Sequence, residues 1–479
     1  MNLGSLYTGG TPDQLALVDL ADGGRQYSYA DLEDLITRVD VSVKEGERVG
    51  LIGTNSAVFI AVFSAIMRQG GVAVPINTKF PVETVQHVVT DTDLTSIWAD
   101  DDLMHRIPEG IAVREFAVDG TGDGGETIEP ASGQPGLVLY TSGSTGTPKG
   151  VLLSHDSQWA MVSRMKTMLE GATGIVAAPL YHMNGLLFLW SLLSGDGTVV
   201  LMSRFDARAY LQAIHDHKVN VITGVPTMLS LMLKERDLIQ SLDLTSVVGI
   251  SVGSAPLSET LVEQALDVFL NAQISNGYGT TEAGALMFGG HPERIPVPPL
   301  SLGYPQPHVE VRLVGGEDEG VLEVKTPAAM NGYLNLPERT AEKMDEEGWI
   351  NTGDIMRRDE YGFFYFVGRD DDMFNCGGEN IYPGEVERIL ETDGRIAECC
   401  VVPVADDIKG FKPVAYVVTA VGETLTEQAV KDLALAKAPA YMHPRAVYFV
   451  DTMPLAGTNK IDRNMLATLA TESAAADGD

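Results

Sequence analysis

Between Glu47 and Lys79 the sequence changes its hydrophobic period twice. Arg48-Val-Gly-Leu-Ile-Gly53 is a β-type run, about Ser56 to Arg68 has helical spacing, and Gly71-Val-Ala-Val-Pro-Ile-Asn77 is apolar again. This strand–helix–strand signature recurs. Val219–Thr223 precedes a helix opening at Pro226, where proline suits the first turn. Ser246–Ser251 precedes another helix that begins near Ser258, with Glu259 and Glu263 in or near its first turns. Repeated units of this kind require mostly parallel sheets covered by helices, so the predicted class is α/β with doubly wound sheets. From about Val309 to Thr326 short β runs are broken by Gly315-Gly316 and Gly320, which predicts a small antiparallel or barrel-like piece. Gly120–Gly136 reads as a solvated linker, and the nine residues from Thr471 read as a frayed end. At 479 residues the chain is about three times a typical domain, so more than one core is expected.

The densest chemistry follows an apolar run. Leu137-Val-Leu-Tyr140 leads into Thr141-Ser-Gly-Ser-Thr-Gly-Thr-Pro-Lys-Gly150, almost all Gly, hydroxyl or Lys. Glycines let backbone N–H groups turn toward an anion, hydroxyls add donors, and Lys149 adds a point charge. A flexible loop is the bland alternative, but the strand before it and Val151-Leu-Leu-Ser154 after it argue for a built phosphate site. It is not the familiar nucleotide-binding loop, which needs Gly directly before the Lys where Pro148 stands. A second cluster, Ser275-Asn-Gly-Tyr-Gly-Thr-Thr-Glu-Ala-Gly284, sets two hydroxyls beside Glu282. One carboxylate next to phosphates is a typical Mg²⁺ ligand; a Gly-rich turn with a solvated Glu is the alternative. A third, Trp349-Ile-Asn-Thr-Gly-Asp354, precedes Tyr361-Gly-Phe-Phe-Tyr-Phe-Val-Gly-Arg369, and Asp354 is placed to accept from ribose hydroxyls.

Charge excludes other classes. Sixty-six acidic against 33 basic residues leave −33, which repels nucleic acid and anionic membranes. Three cysteines, Cys376, Cys399 and Cys400, cannot build a disulfide framework or a four-ligand metal cluster. The first residues lack the basic start and apolar stretch of a secretion signal, and the most apolar run, Leu186–Leu193, is far below a membrane span of roughly 20 residues. A cytoplasmic protein is expected.

Taken together, these motifs closely resemble the adenylate-forming superfamily of acyl-CoA synthetases, luciferases and peptide-synthetase adenylation domains, in family order from Tyr140 to Lys460. Among its branches the chain is most similar to 4-coumarate and 4-chlorobenzoate CoA ligases. The resemblance implies a large N-terminal domain over 1–369 and a small mobile α+β domain over 370–479, with the hinge at Asp371. It implies that Thr141, Ser142, Gly143, Ser144, Thr145, Gly146 and Lys149 bind phosphates. Ser254 and Ala255, within Ser251-Val-Gly-Ser-Ala-Pro256, together with Asn276, Gly277, Tyr278, Gly279, Thr280 and Thr281, would border the adenylate. Asp354 and Arg369 would hold the ribose, with Phe366 beside them. Glu282 would carry magnesium. Lys460, in Pro454-Leu-Ala-Gly-Thr-Asn-Lys-Ile-Asp-Arg463, would serve the first half-reaction, bridging a carboxylate and the ATP α-phosphate. Asn459 precedes it where Gly is usual.

By the same resemblance His182, Met183, Gly185, Gly279, Gly284 and Ala285 would line the acyl pocket, and His182, Thr281, Glu282 and Lys460 would be the catalytic set. None of the pocket residues offers a cation for a second carboxylate, so an aromatic or medium-chain monocarboxylate is expected. Gly377, Gly378 and Glu379 would line the tunnel for the thiol arm of coenzyme A. Lys79, Tyr441, His443 and Arg445 are further CoA candidates, although Met442 and His443 stand where Lys or Arg is frequent. The implied activity is acid + ATP + CoA to acyl-CoA + AMP + pyrophosphate, with Mg²⁺, and a homodimer is an assembly the resemblance allows. Two alternatives stay open: an adenylation enzyme loading an acid onto a carrier protein, and a non-catalytic nucleotide sensor, against which Lys460 and Glu282 both argue.

Overall fold

The computed structural model describes the whole chain apart from residues 8–9, 117–125, 142–146, 256, 407, 421, 457–459 and 477–479 and the side chains of 474–476. Two seven-stranded sheets form its larger part. One runs in the order Gln273–Gly277, Gly249–Gly253, Val221–Gly224, Thr173–Val176, Thr198–Leu201, Leu15–Asp19 and Arg25–Ser28, parallel except for its last pair. The other runs Gly332–Tyr333, Lys149–Ser154, Pro135–Thr141, Val72–Pro75, Arg48–Ile52, Ser96–Ala99 and Ala112–Glu115, with its first two pairings antiparallel. The recurring strand–helix–strand pattern therefore yields the α/β class it implies.

Two apolar helices fill the space between the sheets. Ala57–Arg68 starts where the Ser56 hydroxyl accepts from the Phe59 N–H at 3.1 Å. It meets Met183–Ser194 through Phe63 and Trp190, whose ring centroids lie 5.9 Å apart. One core joins both helices to Leu17, Val176 and Val199 of the first sheet and to Val49, Leu137 and Leu153 of the second. A helix apolar on every side belongs in such a core, which accounts for the Leu186–Leu193 run. No described helix is long and apolar enough to cross a membrane.

The expected small β piece is an antiparallel sheet of Glu310–Val314, Glu319–Lys325, Ile350–Arg358 and Phe364–Arg369. Beyond it, Phe374–Cys376, Glu379–Ile381, Ile396–Asp406, Gly410–Thr419 and Ala446–Phe449 form a five-stranded sheet. Helices Pro383–Leu390 and Glu427–Lys437 contribute Val386, Leu390, Val430 and Ala434 to one of its apolar clusters. Helix Arg463–Ala476 contributes Leu466 and Ala470 to the other. This is the expected α+β arrangement.

Two local expectations are corrected. The chain from Thr471 continues helix Arg463–Ala476, because an alanine-rich run propagates a helix that is already docked. The proposed linker ends before Gly136, which lies in strand Pro135–Thr141 against His155; a Cβ there would come within 2.6 Å of the imidazole. The stretch 117–125 of that linker lies outside the described residues.

His155 is itself a stability determinant. It is 1% exposed, its Nδ1 accepts from the Leu3 N–H at 3.1 Å, and burial pushes its pKa down to about 4. Because the folded pKa lies below the unfolded one, its contribution is complete above about pH 6.5 and is lost as pH falls toward 4. The largest loss from this group is about 3 kcal/mol. Thermal melting between pH 7 and 4.5 should show this slope, and His155→Gln should flatten it.

Candidate active site

The first sheet opens at its carboxyl edge into one cavity of about 2480 Å³, the usual place for a ligand in such folds, and Leu139–Thr141, Lys149 and Tyr333 of the second sheet line it too. Strands Gly249–Gly253 and Gln273–Gly277 end side by side, and at Gly253 a side chain would stand 2.6 Å from the Gly277 carbonyl. Only glycine permits that approach. Ser254 and Ala255 continue this edge and line the cavity, as do Asn276 through Glu282. The Asn276 amide donates to the Leu300 carbonyl at 2.9 Å. Tyr278 packs against Phe288 and donates its hydroxyl to Asp354 Oδ2 at 2.5 Å. The next residues close a tight turn: the Thr280 N–H reaches the Gly284 carbonyl at 2.9 Å, and the Ala283 N–H reaches Thr280 Oγ1 at 3.0 Å. Gly279 fits because a Cβ there would meet the Gly284 carbonyl at 2.5 Å.

Glu282 is fixed from two sides. Its carbonyl accepts from the Met330 N–H at 2.8 Å, and its Oε1 accepts from the Tyr333 hydroxyl at 2.8 Å. Lys149 lies 4.8 Å over the ring of the same tyrosine, directly opposite Thr141 in the strand pairing. Candidate phosphate groups and the candidate magnesium carboxylate therefore share Tyr333 as a hub. Ser142 through Gly146 lie outside the described residues.

Asp354 and Arg369 face each other across the antiparallel ladder, with Nη1 to Oδ1 at 3.4 Å. Asp354 is 4% exposed, and burial raises its pKa despite the opposing Tyr278 hydrogen bond and the Arg369 charge. Arg369 also forks onto Asp371 at 2.7 and 3.2 Å. Burial works against its charge, but Asp371 and Asp354 more than offset that. Phe366 lines the cavity from the same strand.

Lys460 arrives from the C-terminal sheet's side of the molecule. It sits on a hairpin closed by the Ala456 N–H to the Lys460 carbonyl at 2.8 Å, and it lines the cavity. Burial and then the Arg369 charge lower its pKa, while Asp354 acts in the opposite direction. Three residues on, Arg463 grips buried Glu387 through two 2.7 Å contacts, which anchors the Lys460 hairpin to helix Pro383–Leu390. His182 precedes helix Met183–Ser194, and its Nε2 is buried with no hydrogen-bond partner among the described residues. Burial first and then Lys460 hold its pKa down to about 4, so it is neutral.

The remaining candidates divide. Met183 and Ala285 line the cavity, but Gly185 and Gly284 do not. Gly185 is a packing residue, pressed within 2.7 Å of the Ala178 and Pro179 carbonyls as judged from an added Cβ. Gly284 adopts φ +80°, and its missing side chain makes room for Ala328 and Met161. In this arrangement neither glycine borders the cavity. Gly377, Gly378 and Glu379 form an exposed turn away from the cavity, and Lys79 is exposed. Tyr441 packs on the C-terminal core, and Arg445 Nη1 lies 2.8 Å from the His443 ring; neither borders the cavity.

The model of the AMP-binding enzyme family matches residues 8–334, and that of the AMP-binding enzyme C-terminal domain matches 385–460. The chain belongs to the AMP-binding enzymes. Among curated relatives, feruloyl-CoA synthase of Amycolatopsis sp is 32% identical, covering 92% of this chain and 93% of that protein. The fatty acid–[acyl-carrier-protein] ligase ScoC of Streptomyces coeruleorubidus is 29% identical over 92% of this chain and 91% of its own. Among solved structures, ATP-bound MatB from Rhodopseudomonas palustris superposes with a TM-score of 0.85 at 26% identity, covering 98% and 99% of the two chains.

For an AMP-binding enzyme the cavity holds two groups that no motif signalled. Tyr333 reaches Glu282 only because Gly332–Tyr333 pairs with Val151 and Leu152, just past Lys149. Lys343, at the end of helix Pro337–Lys343, donates to the Thr352 carbonyl at 2.9 Å and lines the cavity. Burial lowers its pKa, and Glu282, Arg369, Asp354 and Lys149 all act on it. Nothing in the local sequence distinguishes it from a surface lysine on a short charged helix.

Proposed function

We propose that the protein is an ATP-dependent carboxylic acid–CoA ligase that works through an acyl-AMP, acting on an aromatic or medium-chain acid. The observation that carries this reading is the meeting of Lys460 with Asp354, Arg369 and His182 in one cavity. In the first half-reaction a carboxylate oxygen attacks the α-phosphorus of ATP, forming a P–O bond as the bond to pyrophosphate breaks. Lys460 and Arg369 supply cations where two anions must approach, which favours the transition state over separated reactants. Asp354 accepts from the ribose hydroxyls, and the edge from Ser254 to Gly279 takes the adenine.

The residues fit a magnesium ion. Glu282 presents one carboxylate oxygen beyond its bond to Tyr333, with Thr281 beside it, and no described cluster of three His, Cys, Asp or Glu forms a protein cage. Mg²⁺ takes few protein oxygens and completes its shell with phosphate and water, so Glu282 would hold it. Bound there it would offset the negative charge of the phosphates.

In the second half-reaction the thiol of coenzyme A attacks the acyl carbonyl, a C–S bond forms, and AMP leaves. The Gly377–Gly378 turn lies away from the cavity while Lys460 lies in it. That supports a swing of residues 370–479 about Asp371, which brings the turn to the acyl carbonyl after adenylation. Arg369, which holds both Asp354 and Asp371, ties the hinge to the nucleotide.

Loading onto a carrier protein is the second reading, favoured by the likeness to ScoC. Pyrophosphate release over a panel of aromatic and aliphatic acids, with and without CoA, separates the two. A ligase should release pyrophosphate at a steady rate only when CoA is present and should form acyl-CoA. A single turnover with CoA, joined by acylation of an added carrier protein, would replace this reading with the second.

A further inference from the structure

The cavity extends past Ala285, an expected acyl-pocket residue. Helix His155–Met168 runs along this side, and Met161 Sδ lies 3.0 Å from the Ala285 backbone nitrogen. Residues one turn apart share a helix face, so Arg164 and Met165, then Met168, follow Met161 and line the same wall. The segment Gln306–His308 meets them. The Gln306 N–H donates to the Met287 carbonyl at 2.9 Å, which pairs this segment with the chain two residues beyond Ala285. Gln306, Pro307 and His308 all line the cavity. The Arg164 charge reaches His308 and, after burial, helps to lower that imidazole's pKa.

Neither side chain is paired with a carboxylate, although acids outnumber bases 66 to 33 in this chain. Among the described residues Arg164 makes no ion pair and donates only to the Ala160 carbonyl of its own helix. His308 has no hydrogen-bond partner there. Both side chains are half-buried, so their free polar atoms are open to water. An acid entering this wall displaces that water. If it offers only hydrocarbon, two donors are left unpaired, and a site of that kind rejects an analogue without the acceptor more strongly than an apolar pocket rejects a missing methylene. The neighbouring wall is apolar, from Met165, Leu187 and Val221.

We propose that Arg164 and His308 form an acceptor-binding subsite beyond Ala285, and that the acid this enzyme activates carries an oxygen acceptor at the end remote from its reacting carboxyl, on an otherwise apolar body. This deepens the ligase reading and rests on it. The same oxygen chemistry comes from a phenol or from a second carboxylate, and the sequence alone, which showed no cation near the acyl motifs, did not reveal either.

The test measures pyrophosphate release for three matched acids: 3-phenylpropenoic acid and its para-hydroxy and para-carboxy forms. At least one oxygenated acid should exceed the bare acid in kcat/KM by about 10- to 100-fold, the range for a hydrogen bond to a charged group. Arg164→Met should bring that ratio to within about threefold of one, Arg164→Lys should retain part of it, and His308→Phe should reduce it. A ratio taken within one preparation does not depend on the fraction of folded protein. The winning arm tells a neutral acceptor from an anionic one. Wild-type ratios near one, a ratio unchanged in Arg164→Met, or an effect on KM for CoA instead would overturn the subsite while leaving the ligase reading intact. Absence of AMP formation with all three acids and with the wider panel would overturn both.

Discussion

Lys460→Ala should lower acyl-adenylate formation by about 10²- to 10³-fold while thioester formation from supplied acyl-AMP stays within about threefold of the parent. The argument is electrostatic. Nucleophile and electrophile are both anionic, and the chain's net charge of −33 adds to their repulsion, so the barrier depends on cations fixed inside the cavity. Lys149, Lys343, Arg369 and Lys460 line it together. Of these, Lys460 is brought in by the C-terminal hairpin and would be withdrawn in the proposed swing of residues 370–479, so only the first half-reaction should feel its loss. Its pH profile provides a second readout. In the proposed role the lysine acts while protonated, and its pKa is lowered, mainly by burial, so adenylation should fall with rising pH before the 10.5 of an ordinary lysine. That limb should vanish in the variant. Equal loss of both half-reactions would refute the assignment.

Much of the fold could be read from period alone, because a buried parallel strand and an amphipathic helix leave different marks on a sequence. The helix expected from Ser56 to Arg68 is Ala57–Arg68, and Pro226 and Ser258 start their helices by the chemistry expected of them. The site was legible where backbone segments must approach one another closely, since that need shows as glycine, as at Gly253 and Gly279. It was illegible where a role depends on what lies across the fold. Gly185 and Gly284 look like pocket glycines in sequence, yet they make room for carbonyls and side chains behind the wall. Conversely Tyr333, Lys343, Arg164 and His308 sit in segments with no motif, and only strand pairing and helix docking deliver them to the cavity. Such residues carry no local signature because nothing about their own neighbourhood is unusual.

Gly378→Phe should have the opposite effect to Lys460→Ala: acyl-AMP formation within about threefold of the parent, and acyl-CoA formation slower by about 100-fold or more, the scale set by misplacing a reacting group by an ångström or so. In the pose described here a side chain at Gly378 meets no atom within 4 Å, so bulk does not obstruct the cavity in which adenylation takes place. The residue does sit at φ +97°, beside Gly377 at +65°, and a phenylalanine there carries backbone strain. That strain is local to an exposed hairpin turn, and a thermal melt reports it separately. If the swing about Asp371 brings this turn to the acyl carbonyl, the ring fills the passage that the thiol arm needs. The enzyme should then accumulate its own acyl-AMP, detectable as one equivalent of pyrophosphate released in a burst with no thioester following. Burst and block together require the turn to be remote from the cavity in one half-reaction and inside it in the other, which no single fixed arrangement of the two sheets' domains can satisfy. Unchanged acyl-CoA turnover in a folded Gly378→Phe protein would show that the turn never enters the acyl site.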